Sequence, residues 1–247
     1  MTLTDTLPLW LLLVVVATMP VFALVSRNRP RDPDVARRSA SALLGFWVRD
    51  WVMWLIGPVE RLLVRSGVSP DVFNYLGVAF GAAAGVAFAQ RELALAGWAI
   101  LLGGLADIFD GRIARARGLT SRYGAFMDST LDRFAEGFSF VGVTWYLSGS
   151  PVGAAVSTLA ITGSLLVSYA RARGEAVGVT GTGGVMQRAE RLVLLAVGAL
   201  ADAAITTRLG WPEGRVLLAA VAIIAIGSMA TAIYRTASIA KTLAKQD

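Results

Sequence analysis

The sequence predicts an all-α fold: a polytopic membrane helix bundle with a six-helix core, an interfacial amphipathic helix and an extra N-terminal transmembrane helix. Three observations carry that prediction. The chain of 247 residues is 55% hydrophobic and only 16% charged, with a mean hydropathy of +0.62, whereas a soluble domain carries about 25% charged residues. Apolar runs of about the 20 residues needed to cross a bilayer recur along the chain. The basic residues between those runs fall in alternate connections, as the positive-inside rule requires.

The elements follow in order. Residues 7–25 are almost wholly apolar. No basic residue precedes them and Asp5 is acidic, so the stretch lacks the n-region of a signal peptide and reads as a retained spanning helix. Residues 26–40 carry Arg27, Arg29, Arg31, Arg37, Arg38, Pro30 and Pro33, the composition of a cytoplasmic linker. The chain accordingly divides into an N-terminal helix and linker (1–40) and one membrane domain (41–247). In residues 41–65 Trp47, Trp51 and Trp54 share a helix face, while Arg49, Asp50, Glu60 and Arg61 interrupt the apolar run. That pattern fits a helix lying in the interface with tryptophans at headgroup depth, a true span being the other reading. Six spans follow, over 71–90, 93–112, 124–147, 153–171, 186–204 and 215–234. The segments 26–65, 112–133, 171–191 and 235–245 hold all the 23 basic residues except Arg91, Arg208 and Arg215. This places those segments and the C-terminus in the cytoplasm.

Composition also excludes chemistry. There is no cysteine and no histidine, which removes disulfides, thiolate and imidazole catalysis and an ordinary zinc site. A bound metal takes oxygen ligands, favouring magnesium, manganese or calcium. The net charge of +6 sits at helix ends and reads as topology, not as a nucleic-acid surface.

The chemistry concentrates in one stretch. Asp107 and Asp110 are i and i+3, as are Gly111 and Ala114, with Arg115 next. After eight residues, Gly124, Asp128 and Asp132 form an i, i+4, i+8 stripe. The two helices are joined by a short basic loop and are expected to be antiparallel neighbours, their aspartates converging near the cytoplasmic boundary. An ionised aspartate at the bilayer centre costs about 2.5–3.5 kcal/mol on insertion scales, and close carboxylates repel. A divalent cation removes both penalties, and two-metal sites suit displacement at phosphorus. Small residues let helix backbones or a ligand approach closely.

This pattern resembles the signature of the CDP-alcohol phosphotransferase family, D-x2-D-G-x2-A-R-x8-G-x3-D-x3-D, at every fixed position. The resemblance covers roughly residues 55–240, and the helix over 7–25 lies outside the family's six-helix core. It implies transfer of a phosphatidyl group from a CDP-linked lipid, CDP-diacylglycerol, to an alcohol, with release of CMP. It implies that Asp107, Asp110 and Asp128 ligate Mg2+ or Mn2+ in a two-metal site. Asp132 would ligate or adjoin the second metal and serve as general base. Gly111, Ala114, Arg115 and Gly124, beside Asp107, would contact the CMP part of the donor. It further implies a homodimer in the membrane lipid, with the active site facing the cytoplasm.

Two stretches bear on the acceptor. Ser168-Tyr-Ala-Arg171-Ala-Arg173-Gly-Glu175 and Arg188-Ala-Glu190-Arg191 flank one cytoplasmic loop, and gathered guanidinium forks suit phosphate. They are similar to stretches of the phosphatidylinositol-phosphate synthase branch, which implies inositol 1-phosphate as acceptor, held by Ser168, Arg171, Arg188, Arg191 and Arg235. Arg171 replaces the lysine common there. Glycerol 3-phosphate is the alternative acceptor. A cation transporter, the alternative from another class, would set its acidic residues near the midplane on broken helices. Here they cluster toward one side.

Overall fold

The computed structural model describes residues 10, 13–28, 32, 35, 45–180 and 183–246. The N-terminal helix α1 (Leu13–Val25) is apolar. It breaks at Ala17 and Thr18, where the Thr18 hydroxyl donates to the Val15 carbonyl at 2.7 Å, ahead of Pro20. Residues 7–9 and 11–12 of the expected span lie outside the described residues. A 3-10 turn (Ser26–Asn28) follows. Then come α2 (Phe46–Ser66), α3 (Pro70–Ala89), α4 (Leu93–Ala116), α5 (Arg122–Leu147), α6 (Pro151–Ala176), α7 (Arg188–Leu209) and α8 (Arg215–Leu243).

Serine caps start three of the core helices. Ser69, Ser121 and Ser150 accept from the backbone N–H of Asp71, Gly124 and Gly153, and proline occupies the first turn of α3 and α6. Among the described residues four helices, α3, α4, α6 and α8, are long and apolar enough to cross a membrane. Helix α5 has the length but carries Asp128, Asp132, Arg133 and Glu136 in its first four turns or so, and α7 opens with Arg188, Glu190 and Arg191. Helices α6 and α8 run to Ala176 and Leu243, past the expected ends at 171 and 234. Helical hydrogen bonding continues after the apolar run stops.

The six core helices close a ring. Helix α4 packs on α3 and α7, α3 on α5, α5 on α6, α6 on α8, and α8 on α7. The two aspartate helices, expected to be neighbours, barely touch each other, because α3 is wedged against both. The cause is a glycine stripe, Gly77, Gly81 and Gly85, at i, i+4 and i+8 of α3. A Cβ on Gly81 or Gly85 would collide with the α5 backbone at Ala135 or Phe138, and one on Gly142 would collide with Gly85. Without Cβ atoms there, the two backbones meet directly, and Ser139 Oγ donates to the Gly81 carbonyl at 3.2 Å. With α3 and α5 locked together, α4 and α5 are left apart at the ends that carry the aspartates.

Helix α2 sits outside the ring. Ile56, Met53 and Leu63 join Phe73 of α3 and Ala106, Phe109 and Ile113 of α4 in a small apolar cluster separate from the main core. Its tryptophan face differs from the expectation of headgroup contact throughout. Trp51 is buried and donates through Nε1 to Thr18 Oγ1 at 2.9 Å. Phe22 of α1 lies 5.5 Å from the Trp47 ring and 5.7 Å from the Trp54 ring. The aromatic surface is thus used to dock α1, since aromatic pairs gain from edge-on and tilted contact as well as from burial.

At the far end of the bundle a carboxylate not singled out in the sequence has a structural task. Asp202 of α7 is fully buried and accepts from the backbone N–H groups of Gly214, Val216 and Leu217 at 2.8, 2.9 and 3.0 Å. It caps α8 from a neighbouring helix and matches the positive end of its dipole. Replacing it with alanine orphans three donors. We expect Asp202→Ala to cost about 2–3 kcal/mol of stability. This would be read as earlier thermal unfolding in detergent with substrate KM values unchanged.

Candidate active site

Asp107 and Asp110 come from the last three turns of α4, Asp128 and Asp132 from the first three of α5. The chain reverses between them over Arg117–Ser121, with Gly118 in the left-handed region at φ 65°. The four carboxylates point into the gap that α3 holds open. One oxygen each of Asp107, Asp110 and Asp128 lies within 4.8 Å of the others. Opposed ligands of a magnesium ion at ~2.1 Å stand about 4.2 Å apart. The trio is therefore near enough to converge on one hard divalent ion by side-chain rotation, and its all-oxygen donor set suits Mg2+ or Mn2+ over zinc.

Asp132 lies one turn deeper. It is bridged to Asp107 by Arg188, whose Nη1 is 2.8 Å from Asp107 Oδ1 and whose Nη2 is 2.8 Å from Asp132 Oδ1. A small cavity of about 10 Å³ beside these two aspartates is lined by Asn74, Gly77, Leu131 and Ala135. The other signature residues sit at the mouth. Gly111 and Ala114 are half-buried on the aspartate side of α4, and Arg115 is exposed. The Gly111 amide donates to the Asp110 carboxylate. A Cβ on Gly111 would lie 3.0 Å from Arg115 Nη1, so the glycine lets that guanidinium fold over the helix. Gly124 is fixed by its amide, which donates to Ser121 Oγ at 3.0 Å.

The five residues considered for the acceptor are placed in four settings. Arg188 reaches the aspartates, as above. Arg191 is buried, 1% exposed, and forks onto Glu136 of α5. Its Nε is 2.7 Å from Oε1 and its Nη2 3.0 Å from Oε2, while Nη1 donates to the Met186 carbonyl at 3.2 Å. Arg235, also buried, donates to the carbonyls of Gly183 and Val167, each at 2.9 Å, next to half-buried Ser168. Arg171 is exposed and pairs with Glu175 at 2.8 Å.

Two groups escaped the sequence reading. Glu136 continues the stripe of Gly124, Asp128 and Asp132 by one more turn, a signal the periodicity carries. Arg112, a variable position of the signature, is clamped between Asp32 and Glu60, a partnership that no spacing reveals.

The aspartates, the small residues at the mouth and the ring of helices define an integral membrane enzyme. The chain belongs to the CDP-alcohol phosphatidyltransferase family, whose model matches residues 68–233. Within the family it is similar to the phosphatidylinositol phosphate synthase of Streptomyces avermitilis, 38% identical over 90% of this chain and 91% of that protein. It is also similar to the crystal structure of the Mycobacterium tuberculosis phosphatidylinositol phosphate synthase with CDP-DAG bound. That match has 30% identity and a TM-score of 0.64, covering 74% of this chain and 92% of the other. The same enzyme in complex with manganese and citrate matches at TM-score 0.64, over 74% and 87%.

Proposed function

We propose that the protein transfers the phosphatidyl group of CDP-diacylglycerol to inositol 1-phosphate, at the cytoplasmic face of the membrane, and releases CMP. The reading is supported above all by one juxtaposition: a trio of carboxylates within 4.8 Å lies on the same side of the bundle as a buried arginine group around Arg191 and Arg235. The first suits a pyrophosphate bridged by metal. The second suits a phosphate on the acceptor. Relatives at 38% and 32% identity bear the name of the inositol phosphate reaction.

In this scheme Asp107, Asp110 and Asp128 hold Mg2+ or Mn2+, with Asp132 beside a second ion. Bound there, the metal supplies neutralisation of the pyrophosphate charge and of the departing CMP. Gly111, Ala114 and Gly124 leave room for the CMP moiety, and Arg115 covers it. Asp132 accepts the proton of the acceptor hydroxyl. The hydroxyl oxygen forms a bond to the phosphorus carrying diacylglycerol, and the bond from that phosphorus to the bridging oxygen breaks. The bridging oxygen leaves with CMP. Arg188, bonded to both Asp107 and Asp132, orients the base. Ser168, Arg171, Arg191 and Arg235 surround the acceptor phosphate, and a basic rim that includes Arg173 and Lys241 supports the cytoplasmic reading of this face.

The test is CMP release by the purified protein in lipid nanodiscs with CDP-diacylglycerol, Mg2+ or Mn2+ and one acceptor at a time. Inositol 1-phosphate is expected to exceed free inositol and serine by about 100-fold or more in kcat/KM, because losing a phosphate leaves several guanidinium groups unpaired. Glycerol 3-phosphate as the better substrate would transfer the site to that acceptor. Equal use of free inositol would remove the arginines from recognition.

A further inference from the structure

The residues ahead of the family-matched stretch 68–233 reach the donor side of the site. Asp32 forks onto Arg112, with Oδ1 3.2 Å from Nη1 and Oδ2 3.0 Å from Nη2. Its own amide donates to Asp50 Oδ1 of α2 at 3.1 Å. From the other side, Glu60 Oε2 of α2 stands 2.7 Å from Arg112 Nε. The three side chains are mostly buried, 14–18% exposed, so the clamp is shielded from the screening that makes surface pairs weak. Upstream, Phe22 and Thr18 anchor the same arm to the tryptophans of α2.

Arg112 is the residue after Gly111, and on a helix it projects away from Asp107, Asp110, Gly111 and Ala114. The end of α4 has α3 on one flank and almost no contact with α5 on the other. Its rotation about its own axis is held on the inner side by Arg188 on Asp107, at its tip by Arg117, which donates to the Val68 carbonyl, and on the outer side by the apolar cluster at Phe109 and Ile113 and by the clamp. A roll of about 10° moves a group ~6 Å from the axis by about 1 Å, a displacement that costs an enzyme up to ~100-fold.

We propose that Asp32 is a positioning residue for donor binding: the N-terminal arm straps α2 to α4 and, with Glu60 opposite, fixes the roll of the helix end that presents Asp110, Gly111 and Ala114 to the CDP-lipid. The inference rests on the reading that Gly111 and its neighbours hold the CMP moiety, so the experiment tests the two separately. Full-length protein in nanodiscs is compared with Asp32→Asn, Asp32→Glu, Glu60→Gln and Gly111→Leu. KM for CDP-diacylglycerol, KM for the acceptor, kcat, the Kd for CMP by titration calorimetry and the Tm are measured for each.

Asp32→Asn and Glu60→Gln are each expected to raise the donor KM and the CMP Kd by about 5–10-fold, with acceptor KM within about twofold of wild type. Asp32→Glu should return most of the loss, since it keeps a carboxylate for the fork. Donor KM and CMP Kd unchanged in Asp32→Asn and Glu60→Gln, while Gly111→Leu weakens both by about tenfold or more, would overturn the strap and leave the donor site standing. If Gly111→Leu also binds donor normally, the donor site falls and the strap with it. An equal rise of both KM values together with a lowered Tm would reduce the clamp to general support and overturn the positioning role.

Discussion

Asp132→Asn is expected to lower kcat by about 10³-fold while donor affinity stays within about threefold of wild type. The expectation follows from where Asp132 stands. Asp107, Asp110 and Asp128 form the tight oxygen trio, and Asp132 lies outside it, next to a cavity that reaches Asn74. Asparagine keeps the size and one acceptor oxygen, so the contact to Arg188 survives in neutral form, but it takes up no proton from a hydroxyl. The loss belongs to the chemical step and not to assembly of the metal site. Single-turnover release of CMP measures the step, and calorimetric binding of CMP with Mn2+ measures the site. A variant that keeps kcat within about tenfold of wild type would transfer the proton to another acceptor and leave Asp132 as a structural partner of Arg188.

The same residues mark how far the sequence could be read. Eight fixed positions of one signature stand in the sequence at their spacing, and helical periodicity puts Asp107 beside Asp110 and Asp128 beside Asp132 without any coordinates. Membrane helices are similarly legible, because backbone groups in lipid must pair within their own helix. Periodicity says which side of a helix is special, but not which helix that side meets. Hence the aspartate helices read as close neighbours, although α3 separates them. The stripe of Gly77, Gly81 and Gly85 carried the needed signal, at the spacing of close helix packing. Longer-range partners left no such trace. Nothing in the order of residues couples Asp32 to Arg112 or Asp202 to the first turn of α8. These are ion pairs and caps between elements distant in sequence, settled only when the ring closes. The arginines illustrate the point most sharply: the sequence groups five polar residues for one phosphate, and the fold distributes them among an aspartate pair, a glutamate fork, backbone carbonyls and solvent.

That distribution governs the second large effect. Arg191→Ala would leave the Glu136 carboxylate, 2% exposed, buried without its bidentate partner, and breaking such a pair costs about 3–5 kcal/mol. A fall in activity of that variant would therefore not distinguish a ligand of the acceptor from a prop between α5 and α7. The double substitution Glu136→Leu with Arg191→Met separates the roles. Two apolar side chains of similar volume remove both desolvated charges together, and such swaps are often neutral or stabilising. The double variant is expected to unfold within about 1 kcal/mol of wild type. Its acceptor KM is expected to remain about 30-fold raised and its donor KM to change less than about threefold, because a charged hydrogen bond to the phosphate is worth about 2 kcal/mol. Tm in detergent and the two KM values decide it. Recovered stability with a normal acceptor KM would confine Arg191 to holding α7 against α5. Recognition of the phosphate would then fall to Arg235, whose Nε and Nη1 are already occupied by carbonyls, and to Arg171, which would have to leave Glu175.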